Sequence, residues 1–119
     1  LKYIFKHSDI ITVHLPLNNE TKNLIDGDLL QLMKPTSFLI NTSRGAVIDE
    51  KVILKMLQEK KIAGAALDVY WQEPLPPSSP WRKLSNVILT PHIAASTRET
   101  LEKGTKTIIN EMIKILGKI

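Results

Sequence analysis

Cysteine is absent from the 119 residues, which excludes disulfides and thiolate-based metal or redox chemistry, and no metal cofactor is expected. No apolar run approaches the roughly 18 to 20 residues that a membrane-spanning helix needs. A charged-then-apolar leader is also missing, so the expected setting is the cytoplasm, with no membrane partner. Aromatics make up only 5% of the chain, and no basic stripe interleaved with them is present. The net charge of +4 is therefore not read as a nucleic-acid footprint. Its lysines and arginines mix with acids, as in Glu59-Lys60-Lys61 and Arg98-Glu99, which is the pattern of solvated helix faces. Internal repeats and low-complexity stretches are lacking too.

What is there is an ordinary globular composition, 43% apolar and 24% charged, long enough for one domain over residues 1–119. Short β-branched runs alternate with helical patterns, which predicts an α/β fold built on a parallel sheet. The expected strands are Ile10 to His14, Ser37 to Asn41, Gly64 to Val69 and Asn86 to Thr90, apolar on both parities as if helices covered both faces. Asp26 is expected to cap a helix through Met33, stopped by Pro35, and Asp49 a second from Glu50 to about Lys60. Ser96-Thr97-Arg98-Glu99 has capping-box spacing, with Ser96 as the expected cap of a long helix. Leu101, Thr105, Ile108, Met112 and Leu116 give that helix an apolar face, and Gly104 within it suggests close packing. Leu1 to Ser8 reads as the end of another helix, and Pro74 to Pro80 as a proline-rich loop.

Three polar clusters follow expected strands, at the carboxyl ends where open α/β sheets place ligands. The first is Asn41-Thr42-Ser43-Arg44-Gly45, in which the Arg44 guanidinium can grip a carboxylate with two parallel hydrogen bonds and Gly45 permits a tight turn. The second, Ala66 to Pro74, holds Asp68 and Glu73, one able to accept an amide hydrogen bond and the other to orient a base. The third places His92 between a strand and a helix start, and histidine is the usual proton carrier near neutral pH. Taken singly, each has a blander reading: a surface arginine, a helix-capping aspartate, a loop acid, a structural histidine.

Taken together, Asn-Thr-Ser-Arg-Gly, Leu-Asp-Val-Tyr-x-x-Glu-Pro and Thr-Pro-His-Ile-Ala resemble the D-isomer-specific 2-hydroxyacid dehydrogenase family. His14-Leu15-Pro16-Leu17 and Glu20-Thr21 upstream belong to the same likeness, which runs from about Leu1 to Leu116. The formate dehydrogenase branch is less similar, because it has Gln where this chain has Glu73. The resemblance implies the C-terminal half of a Rossmann-type doubly wound sheet and a reaction that moves hydride between nicotinamide and a 2-hydroxy or 2-oxo acid. It implies that Arg44 binds the substrate carboxylate, that His92 gives or takes the proton, and that Glu73 pairs with His92. It further implies that Asp68 meets the nicotinamide carboxamide, and that Thr42 and Ser43, with Arg44 and His92, border the nicotinamide ribose or ring. Leu15, Pro16 and Thr21 would lie along the adenine side, and Ala94 and Ala95 would let the cofactor approach closely. NAD or NADP is the implied cofactor, with NAD favoured, and a homo-oligomer the implied assembly.

The family's glycine-rich loop and its substrate domain have no counterpart in these residues: Gly27, Gly45, Gly64, Gly104 and Gly117 are nowhere spaced as the loop demands. The chain is therefore expected to be a fragment or truncated paralogue with little activity of its own. Its first strand would be left with a bare edge that favours self-association. The same family includes an NAD-linked transcriptional corepressor, so a non-catalytic interaction module is the alternative.

Overall fold

Four short parallel strands lie side by side in chain order: β1 (Ile10–Val13), β2 (Phe38–Asn41), β3 (Gly64–Leu67) and β4 (Val87–Leu89). The computed structural model describes residues 1–117. Each strand is one or two residues shorter than its apolar run, but the first three stay in step, with Ile10 opposite Phe38 and Phe38 opposite Gly64. Parallel neighbours need a crossover, and here the crossovers carry the helices. Helix α1 (Lys2–His7) precedes β1, α2 (Gly27–Leu30) and α3 (Glu50–Gln58) lie in the connections around β2, and α4 (Arg98–Leu116) follows β4. All four carboxyl ends therefore face the same rim.

The helix starts at α2 and α3 follow the expected chemistry. The Asp26 carboxylate accepts the Leu29 N–H at 3.0 Å, and that of Asp49 accepts the Val52 N–H at 3.1 Å, each satisfying a donor that the first helical turn leaves free. Helix α2 stops at Leu30 rather than Met33, because the Leu32 and Met33 amides bond three residues back and tighten the chain before Pro35. Helix α4 is capped by Thr97 and not Ser96: the Thr97 hydroxyl accepts the Thr100 N–H at 3.1 Å. The capping frame moves by one residue, and Glu99 remains in the first turn.

Phe5 of α1, Leu29 and Leu30 of α2, and Ile53, Met56 and Leu57 of α3 pack on Ile11, Val13, Leu39 and Leu67. This covers one face of the sheet. The opposite face is open: Ile10, Phe38 and Ile88 are exposed, so the expectation of helices on both faces fails among the described residues. Both parities are apolar, yet every helix before β4 sits on one side. Helix α4 buries none of its residues, and its apolar stripe, including Leu101, Ile108, Met112 and Leu116, faces outward. Gly104 meets nothing within 4 Å, which overturns the close packing expected there.

Candidate active site

The loop after β2 is shaped by a buried polar side chain. Asn41 ends the strand fully buried. Its carboxamide oxygen accepts the Ser43 N–H at 3.0 Å and the Ser43 hydroxyl at 2.9 Å, while its Nδ2 donates to the Arg44 carbonyl at 3.0 Å. These bonds turn the chain so that Arg44 projects at the rim. The guanidinium Nη1 donates to the Ser43 carbonyl, leaving the other N–H groups of the exposed side chain uncommitted among the described residues. Gly45 is required by contact and not by conformation, since its φ is not positive. A Cβ there would sit 2.3 Å from the Tyr70 carbonyl carbon and 2.7 Å from the Trp71 nitrogen. Gly45 thus lets the Arg44 loop press against the loop after β3.

That second loop holds Asp68 and Glu73. Asp68 is buried, and its Oδ1 accepts the Thr90 hydroxyl at 2.6 Å and the Ile93 N–H at 2.9 Å, while Oδ2 accepts the Ala94 N–H at 2.9 Å. Burial pushes its carboxyl up. The bonds from Thr90, Ala94 and Ile93 outweigh that and leave it below its ordinary value. Asp68 therefore ties the end of β3 to the turn after β4, the turn that carries His92.

His92 adopts a left-handed backbone, φ 56°, a conformation that a non-glycine residue holds only where its surroundings enforce it. The result is a ring aimed at Glu73, with Nδ1 2.7 Å from Oε2. Glu73 is steadied from the other side by the Tyr70 N–H on Oε1 at 2.9 Å. The His92 hydrogen bond, then the Tyr70 amide, hold the Glu73 carboxyl below the usual range, with the charge of Arg44 acting in the same direction. An ionised carboxylate only accepts, so His92 Nδ1 is the donor and Nε2 has no partner among the described residues.

Two cavities flank these groups. One of about 610 Å³ is lined by Tyr70, Glu73, Arg82, Thr90 and His92 among others. A second of about 380 Å³ is bounded by His14, Leu15, Pro16, Leu17, Ser43 and Arg44. Glu73 and His92 thus share the first cavity, Arg44 borders the second with Leu15, Pro16 and Ser43, near enough for its charge to act on Glu73, and the buried Asp68 lines neither. Ala94 and Ala95 are exposed just past His92. Thr42 faces His14 across 3.5 Å. The Thr21 hydroxyl is engaged within its own loop, donating to the Pro16 carbonyl at 2.6 Å, and borders neither cavity. Asn41, Thr90 and His14 stand in the motifs read from the sequence, but the sequence alone assigns them no role. A polar residue closing an apolar run, as Asn41 and Thr90 do, is the readable signal for the first two.

The family model for the NAD-binding domain of D-isomer specific 2-hydroxyacid dehydrogenases matches residues 1–94. The chain belongs to this dehydrogenase family. Within it, the glyoxylate reductase of Thermofilum pendens is 46% identical over 116 residues, which cover 98% of this chain and 34% of that protein. An acyclic imino acid reductase solved with NADPH and D-Arg superposes with a TM-score of 0.89 at 37% identity, covering 98% of this chain and 37% of its own. The NAD-complexed D-isomer specific 2-hydroxyacid dehydrogenase of Lactobacillus delbrueckii gives a TM-score of 0.89 at 29% identity, covering 98% and 40%. The chain spans about a third of the length of the glyoxylate reductases it matches. No helix among the described residues is long and apolar enough to cross a membrane, and no cluster of three or more His, Asp or Glu side chains there could hold a metal ion.

Proposed function

We propose that residues 1–119 are the part of one NAD-binding domain that supplies the nicotinamide side of the cleft in an NAD- or NADP-dependent dehydrogenase of 2-hydroxy and 2-oxo acids. The observation that carries this reading is the 2.7 Å contact between Glu73 and His92 on the rim that also bears Arg44. Bound nicotinamide supplies the hydride in one direction and accepts it in the other. His92 delivers a proton from Nε2 to the C2 oxygen during reduction and removes it during oxidation. Glu73 holds the ring in the tautomer that leaves Nε2 toward the substrate and stabilises its charged form. Arg44 grips the substrate carboxylate with the N–H groups that Ser43 does not use, and its charge polarises the adjacent carbonyl.

Asp68 fits a carboxamide. A carboxylate offers about four acceptor sites, and Asp68 fills three, leaving one on Oδ2 for an amide N–H. Thr42 and Ser43 border the nicotinamide ribose or ring, Leu15, Pro16 and Thr21 the adenine side, and the small Ala94 and Ala95 admit the cofactor beside His92. The exposed apolar stripe of α4 supports assembly into a homo-oligomer.

Turnover of glyoxylate or hydroxypyruvate with NADH or NADPH by the intact enzyme tests this reading. His92→Ala is expected to lower kcat by about 10² to 10⁴, the usual worth of a positioned acid–base group. Arg44→Ala is expected to lower kcat/KM by a comparable factor. Variants that turn over like the parent protein would remove both roles.

A further inference from the structure

Four prolines, at positions 74, 76, 77 and 80, crowd the segment that follows Glu73. Proline has no amide hydrogen, so this segment is short of internal donors and most of its carbonyls draw them from elsewhere. One donor is local: the Ser79 N–H reaches the Pro76 carbonyl at 3.0 Å. The others come from Arg82, whose Nε donates to the Pro76 carbonyl at 3.1 Å and whose Nη2 donates to the Leu75 carbonyl at 2.9 Å.

Arg82 stands on a fixed base. It belongs to a 3-10 turn, Pro80–Lys83, whose Trp81 is buried, stacked on Trp71 with ring centroids 5.3 Å apart, and bonded through Nε1 to Glu50 of α3. The guanidinium therefore links the body of the domain to the two residues that come directly after Glu73-Pro74. It also lines the 610 Å³ cavity that Glu73 and His92 share.

From this arrangement we infer that Arg82 is a positioning residue for the proposed dehydrogenase reaction, clamping the proline-rich loop so that Glu73 stays on His92. Glu73 is then held from both sides, by the Tyr70 amide upstream and by the Arg82 fork downstream. Arg82 touches neither Glu73 nor His92 by hydrogen bond or ion pair; it acts through backbone carbonyls. Because the side chain is exposed, its replacement leaves the core intact.

This inference rests on the functional reading above, and the experiment separates the two. Arg82→Met, Arg82→Gln and Arg82→Lys are compared in the intact enzyme. The Glu73 carboxyl titration is followed by carbon NMR and assigned with Glu73→Gln, a readout that needs no turnover. In Arg82→Met the Glu73 titration is expected to rise toward the ordinary carboxylate value by at least about half a pH unit, and kcat to fall about tenfold with KM changed less than about twofold. Arg82→Lys, which keeps the charge but replaces a two-nitrogen fork with one nitrogen, is expected to fall between Met and the parent. Should the Met variant not fold, Arg82→Gln carries the same expectation. A Glu73 titration that is unchanged in every variant overturns the clamp, as does full restoration by Lys, which would make the effect one of charge alone. A shifted Glu73 titration in a protein without turnover supports the clamp and refutes the catalytic reading.

Discussion

Asp68 shows how one side chain can join two loops and carry a pH signature. Its carboxyl is held below its ordinary value in the folded protein, so the folded state binds its proton less readily than the unfolded chain does. The stabilisation is therefore fully present above the unfolded value, near about 3.9, and is lost as pH falls through the lower folded value. Urea unfolding of the parent protein should show stability decreasing from about pH 5 downward, and Asp68→Asn should flatten part of that slope. Asp68→Ala leaves the Ile93 and Ala94 amides without their acceptor and is expected to cost about 1–3 kcal/mol at pH 7. Retention of the same pH slope in Asp68→Asn would contradict this assignment. At this scale the sequence was informative about identity and silent about partners. Arg44, Asp68, Glu73 and His92 stand out as charged or titratable groups after apolar runs. That Asp68 binds the His92 turn, or that Gly45 is needed by a neighbouring backbone, depends on contacts across 20 or more residues.

The elements were legible where local chemistry decides them. Alternating apolar runs located all four strands, and Asp26 and Asp49 marked two helix starts. The start of α4 lies one residue beyond the expected cap: Ser96 and Thr97 both offer a capping hydroxyl, and it is Thr97 that accepts the Thr100 N–H. Thr97→Ala should cost about 1 kcal/mol, while Ser96→Ala should be near neutral. Thermal melts of the two variants test this, and equal losses would restore the Ser96 frame. The 3-10 turn at Pro80–Lys83 begins where the expected proline-rich loop, Pro74 to Pro80, ends; its buried Trp81 packs on a tryptophan ten residues away, which no local pattern encodes.

On the scale of the molecule, apolar residues on both faces of the strands suggested a sheet covered twice, and the described residues cover it once. Ile10, Phe38 and Ile88 on the open face, and the outward stripe of α4, remain in water. Among the described residues strand β1 pairs only with β2, leaving an unpaired edge. Apolar surface of this kind and a bare strand edge both favour association. Sedimentation of the purified 119-residue chain should accordingly show mass increasing with concentration, and a single monomeric species over a hundredfold range would contradict this.

The proposed roles require Arg44, Glu73 and His92 to act on one substrate from one rim. A crystal structure of the intact protein with reduced cofactor and oxamate, an unreactive 2-oxo acid analogue, checks this requirement. The Arg44 fork is expected on the oxamate carboxylate, His92 Nε2 within hydrogen-bond reach of the C2 oxygen, and Glu73 still on Nδ1. Oxamate bound away from Arg44, or a His92 ring turned from both Glu73 and the C2 oxygen, would contradict it.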